Sequence, residues 1–258
     1  MSKKIMRALA VLIFVIPIIY MIMWAFIERW SFEQVLPEIY TTRAWKNIFT
    51  NKQILQTILK SITMSMGVAF ISVAFTYTAA KAIALYDFKY KNVFRLILFI
   101  PLLIPVMSLS IGLHLNFLRL GLANTYFGVM LVHVFLSIPY CFIIMEPVIR
   151  SVGINYENQA RLLGANSFQT HIYINLFLHG PAILTAFFMS FIVSFSQYIV
   201  NFLIGGGLVN TFSNIIFPIL SEKDRHVSSV YSIVFLAISL IVYFLSLYFS
   251  KRISRINE

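Results

Sequence analysis

Ser194, Gln197 and Asn201 recur at intervals of three and four residues inside an apolar run, so a helix there would carry all three on one face. Hydroxyl and amide groups in that pattern can exchange hydrogen bonds with a passing polar solute, which makes the stripe a candidate translocation path. Polar packing between helices uses the same side chains equally well. Lys81, His114, Asn116, His133 and Glu146 are also set in apolar runs, where polar groups are costly and often functional. Each has a simpler use. Glu146 and Arg150 are four apart and can pair along a helix; Lys81 can extend its amine to an interface; His114 and Asn116 fall near the outer boundary; and a lone histidine such as His133 suits an interhelical hydrogen bond. Bond-making chemistry has little support. There is no Ser/His/Asp set, no paired carboxylates and no H-E-x-x-H, and five histidines with one cysteine show no metal-ligand spacing. No catalytic residue, metal or cofactor of its own is expected for this chain.

The elements that position these groups must be membrane helices. Of 258 residues, 60% are apolar and only 11% charged, with a mean hydropathy of +0.86, whereas a soluble domain is about a quarter charged. Six segments approach the roughly 20 residues that a helical span needs: Ala8 to Ile27, Thr57 to Leu85, Leu96 to Leu118, Phe127 to Val148, Pro181 to Ile204 and Val227 to Ser250. The chain divides into a first helix with its external segment (1–56), a core of five spans (57–250) with a cytoplasmic loop at 150–180, and a tail (251–258). No cleavage site follows the first segment, which reads as a retained span, and Trp24 and Trp30 suit an interfacial belt. Cys141 sits in an apolar run and reads as a small buried residue.

The formal charge of +11 is scattered at the ends of apolar segments, which suits anionic lipid and not nucleic acid. Lys3, Lys4 and Arg7 at one end and Lys251, Arg252 and Arg255 at the other, with an even span count, place both termini in the cytoplasm. Ser61, Ser65 and Ala69 suit close helix packing. Pro101 and Pro105 remove backbone donors and should bend or break the third span.

The polar loop between the fourth and fifth spans has its own plan. Asn155 can cap a helix running to about Leu163, aided by Glu157 in its first turn. Gly164 can then turn the chain, and Asn166 or Ser167 can cap a second helix running to about Leu178. The result is a compact, exposed knob suited to docking a soluble partner.

This loop resembles the cytoplasmic EAA motif of binding-protein-dependent ABC importer permeases: Glu-Ala-Ala, three residues, Gly, nine residues, then Ile-x-Leu-Pro. Aligned on Gly164, this chain has Asn158, Gln159 and Ala160 for the triplet, then Ile174 and Leu176, with Phe177 in place of proline. Glu157, one residue early, can supply the acidic character, and Arg161, Leu162 and Ala165 continue the likeness. It extends over Thr57 to Ser250, including the proline pair and Ser137-Ile138-Pro139-Tyr140. It implies an all-α integral membrane fold of six transmembrane helices, the type I ABC importer (MetI-like) permease fold, in a bacterial plasma (inner) membrane.

The resemblance also implies partners: a cytoplasmic ABC ATPase dimer that takes the loop around Gly164 and itself binds ATP and Mg, a second permease subunit, identical or homologous, and an extracytoplasmic solute-binding protein. The chain has no Gly-x-x-x-x-Gly-Lys-Ser/Thr loop with which to bind ATP. Gly205-Gly206-Gly207 is followed by Leu208-Val209-Asn210; it reads as a flexible break or, since Tyr198 to Thr211 is similar to permeases for thiamine, ferric iron and related solutes, as an outer gate. Similarity leans toward permeases for polyamines, thiamine, iron and phosphonate without choosing among them. The rival reading is an ion-coupled secondary transporter or channel subunit, for which His133 is the one candidate coupling group and which often carries an inverted repeat that is not visible here.

Overall fold

The computed structural model describes residues 3–31, 33–222 and 224–256. The side chains of Lys3, Lys4, Arg7 and Arg255, on which the orientation partly rests, lie outside the described residues. Helices dominate: α1 (Lys3–Trp24), α2 (Arg43–Thr50), α3 (Lys52–Leu85), α4 (Lys91–Leu103), α5 (Val106–Arg119), α6 (Tyr126–Val152), α7 (Asn155–Leu162), α8 (Ser167–Leu178), α9 (Gly180–Phe195), α10 (Ile199–Gly205), α11 (Phe212–Ser221) and α12 (Arg225–Ile256). Two short antiparallel strands, β1 (Ile27–Arg29) and β2 (Ile39–Tyr40), follow α1.

The chain forms two compact units, 1–59 with 212–240 and 60–211 with 241–258. In the first, His226 ties three segments: its Nε2 accepts from the Ala44 N–H at 3.2 Å, which leaves the proton on Nδ1, 3.3 Å from the Trp24 carbonyl. The Trp45 indole donates to the Ala25 carbonyl at 3.0 Å. Phe212 and Tyr231 stack, and Arg43 reaches Asp224 at 2.9 Å and Glu28 at 3.6 Å.

In the second unit, α3, α6 and α9 pack through small residues. Ser65, Ala69, Ser72, Thr76 and Ala80 are buried on α3, and Ala182, Ala186, Ser190 and Ser194 repeat every fourth position on α9, so the backbones approach closely. Around these lie two apolar clusters, one including Tyr77, Phe142, Met145 and Ala186, the other Met64, Val132, Leu136 and Ile204. The Cys141 thiol is buried at 3.6 Å from the Ala186 carbonyl, as its apolar setting suggested. In the turn between α3 and α4, a hydrogen bond from Lys91 and its charge hold the Asp87 carboxyl below the usual carboxylate range.

The six expected spans are only partly reproduced. Among the described residues α3, α6 and α12 are long and apolar enough to cross a membrane, and counting each bent pair as one span brings the number to five. α4 and α5 meet at 99°, because Ile104 is extended and Pro105 opens the next helix without an N–H. α8 and α9 meet at 73°, where Gly180 and Pro181 start α9. The described apolar part of α1, Val15–Trp24, is shorter than a span.

Candidate functional site

The loop is built by local stops and starts. Gly153, at φ +71, ends α6, and the turn is so tight that Asn155 is already the first helical residue of α7. Ile154 occupies the cap position without a side-chain bond, which corrects the capping role expected of Asn155. At the other end, Gly164 takes φ +89 and donates to the Arg161 carbonyl, while Ala165 donates to the Ala160 carbonyl, both at 3.0 Å. This pair of bonds is the Schellman closure that a left-handed glycine permits. Asn166 then caps α8 as expected: its side chain accepts from the Gln169 N–H at 2.8 Å, and the Gln169 side chain accepts from the Asn166 N–H at 2.9 Å.

The knob presents an apolar tip. Leu162 is 87% exposed, Leu163 90% and Phe168 71%. Asn158, Gln159, Arg161 and Gly164 are exposed as well, and Ala160 and Ala165 are half-buried.

Glu157 points the other way. It is 3% exposed, and its Oε1 lies 2.6 Å from Lys81 Nζ, with Arg161 Nη2 4.0 Å from Oε2. The loop's acid therefore grips α3 of its own chain. The expected reach of Lys81 toward the boundary ends on this carboxylate. Tyr77, one turn before Lys81, meets His179 Nδ1 at 3.0 Å and the edge of the His171 ring. Between them, α8 widens into a π-helical stretch over Thr170–Asn175 that buries Thr170 and Asn175. Tyr77 and His179 carried no signal in the sequence, because each gains its role from a segment far along the chain.

The polar stripe is placed differently from the expectation of one helix face. α9 stops at Phe195 and α10 starts at Ile199, so Gln197 lies in the link. Ser194 and Asn201 are both 1% exposed. Ser194 donates to Ser65 at 3.2 Å, so it accepts from His133 Nδ1 at 2.9 Å. Asn201 donates to Thr211 at 2.9 Å and to the Gln197 carbonyl. The interhelical bond expected of His133 is present, and through it α3, α6 and α9 share one buried network.

Gly205, Gly206 and Gly207 close α10. Gly206 and Gly207 have φ +52 and +79, and a β-carbon on Gly206 would fall 1.9 Å from Asn124 Oδ1. Asn124 also donates to the Ile204 carbonyl at 2.8 Å. The flexible break expected here is instead a pinned turn, because the neighbouring loop packs directly against its backbone. Glu146 pairs with Arg150 as expected and also binds Arg95 at 2.8 Å, joining α4 to α6.

The family described as "Binding-protein-dependent transport system inner membrane component" matches residues 72–255. A probable sulfate transport system permease protein of Prototheca wickerhamii is 27% identical over 72% of this chain and 78% of its own length. A spermidine/putrescine transport system permease protein of Escherichia coli K12 is 23% identical over 65% of this chain and 63% of its own length, just under two thirds. Among solved structures, the chain is similar to one from a bacterial ABC transporter involved in the import of the acidic polysaccharide alginate, with a TM-score of 0.70 and 18% identity over 96% of this chain and 94% of that one. A bacterial alginate ABC transporter in complex with an alginate pentasaccharide-bound periplasmic protein gives a TM-score of 0.68 at 16% identity, over 97% of this chain and 94% of that one.

Proposed function

Because this chain belongs to the family of binding-protein-dependent transport system inner membrane components, we propose that it forms half of the solute pathway of an ATP-driven importer and is driven by a separate ATPase through the loop around Gly164. The observation that carries this reading is the knob itself: an exposed Leu162–Leu163–Phe168 tip on a frame fixed by a glycine closure, a capping box and the buried Lys81–Glu157 pair. An apolar tip on a polar loop is suited to a groove in a soluble partner.

The partner is a cytoplasmic ATPase dimer that binds ATP and Mg, and Tyr156, Asn158, Gln159 and Arg161 lie beside the tip as its polar contacts. Glu157 serves the coupling from inside by holding the knob to α3. A second permease subunit, identical or homologous, completes the wall, and a solute-binding protein delivers the cargo from outside. The chain lies in the bacterial inner membrane with both termini in the cytoplasm. Ser194, Gln197 and Asn201 line the pathway where the fifth span is interrupted, since irregular backbone at membrane depth is tolerated beside protein or a watery cavity. The turn at Gly205–Gly207 forms the outer gate. The cargo class follows the relatives, whose names include sulfate and polyamine systems. Family membership replaces the ion-coupled carrier as the working reading.

The test is co-expression with a cytoplasmic ABC ATPase from the same genome, comparing the native protein with Leu162→Glu/Leu163→Glu and Arg161→Glu. The native chain should co-purify with the ATPase and support ATP hydrolysis stimulated by the binding protein, and the paired change should abolish association while the permease stays folded. Association that survives a charged tip would overturn the coupling role.

A further inference from the structure

Where α1 ends and β1 begins, the first unit has an open cavity of about 880 Å³ lined by Tyr20, Trp24, Trp30 and Arg225 among others. Trp24 is 6% exposed, yet its indole N–H has no acceptor among the described residues. A buried donor left unpaired is costly, so its place in the wall of a cavity points to an acceptor that comes from outside the chain.

Arg225 supplies the matching charge. Its guanidinium lies 4.9 Å from the centre of the Trp24 ring, where stacking fixes its fork. The acids of the same wall are paired within it, since Asp224 lies 2.9 Å and Glu28 3.6 Å from Arg43, which also lines the cavity. Arg29 faces Glu38 at 3.9 Å. Arg225 forms no ion pair among the described residues, although Glu222 lines an adjoining cavity that shares Tyr20 and Arg225. Among the described residues, the Trp24 ring thus brings together a buried indole N–H without an acceptor and a guanidinium without an ion-pair partner.

The position narrows the acceptor. α1 exposes Ile16, Ile19, Tyr20 and Met23 along its apolar stretch and stops at Trp24, the pattern of a helix reaching the headgroup level of a bilayer. Phosphate groups sit at that level, and a guanidinium binds them with two parallel hydrogen bonds. We propose that this cavity binds the phosphate group of a phospholipid headgroup or of free phosphate, held by the Trp24 N–H and Arg225.

Native mass spectrometry of the detergent-solubilised full-length protein tests this, by counting retained dioctanoyl phosphatidylglycerol against dioctanoylglycerol, which lacks the phosphate. The native chain should retain the phospholipid and not the diacylglycerol. Trp24→Phe, which keeps the ring under Arg225 but removes the N–H, and Arg225→Gln should each weaken retention about tenfold or more. Should Trp24→Phe fail to fold, Arg225→Gln and the stack-disrupting Arg225→Lys decide the matter. Displacement of the lipid by excess inorganic phosphate would show that the phosphate group suffices. Retention that resists inorganic phosphate but still needs Arg225 would assign the site to a lipid headgroup. Equal retention of both lipids, or variants that bind like the native chain, would overturn the proposal.

Discussion

Lys81 Nζ lies 2.6 Å from Glu157 Oε1, joining the end of α3 to the first turn of α7. Both partners are withdrawn from water, Glu157 almost completely, so the pair ties the loop to a long core helix.

Breaking one partner should cost more than removing both. Glu157→Leu or Lys81→Met leaves a charge without its mate and should destabilise the protein by about 3 kcal/mol, with Lys81→Met/Glu157→Leu recovering much of it. Thermal unfolding of the four proteins in detergent closes the cycle, and additive losses would show that the two side chains act independently.

Gly164 has open space around an added β-carbon and φ +89, so its substitution is a test of backbone conformation alone. Gly164→Ala should cost about 1 kcal/mol, and Gly164→Asn should cost less because asparagine tolerates the left-handed region. Limited proteolysis at the loop should accelerate in the same order; equal rates for the two variants would place the requirement elsewhere.

Gly206 and Gly207 differ in their surroundings. Gly206→Ala should be clearly worse than Gly207→Ala, because only the former drives a β-carbon into Asn124. Asn124→Gly should rescue much of the loss, since Asn124 itself has φ +63 and glycine adopts that conformation freely. Without rescue, contact with Asn124 is not what demands glycine at position 206.

Ser194 is both acceptor for His133 and donor to Ser65. Ser194→Ala should cost about 2 kcal/mol by leaving the buried imidazole N–H unpaired, whereas Ser65→Ala should cost about 1 kcal/mol. Transport assays on the Ser194 variant separate its two uses: a changed KM for the cargo supports a place on the pathway, and an unchanged KM with lower stability assigns it to packing alone.

The parts legible in the sequence were those set by near neighbours. Apolar length announced a membrane chain, the Pro101–Pro105 pair announced the break between α4 and α5, and the run from Asn155 to Gln169 announced two helices around a glycine. These depend on hydropathy, on a missing N–H, and on hydrogen bonds spanning three to five residues, all of which are written locally. Even there, the compact turn at Gly153 moved the start of α7 to Asn155 and took the capping role from it.

Tertiary structure decided the rest, because burial and partner choice belong to no single segment. An acid in an exposed loop looks the same in sequence whether it faces a partner protein or its own chain; only the packing of α7 against α3 turned Glu157 inward to Lys81. The regular spacing of Ser194, Gln197 and Asn201 suggested one helix face, but α9 ends between them, and Ser194 is claimed by His133 from 61 residues away. A glycine run read as slack became a pinned turn once Asn124 was laid against Gly206. Sequence alone set which segments are apolar and where the chain turns; the meeting of distant helices determined which polar groups are spent on holding them together and which remain for a ligand or a partner.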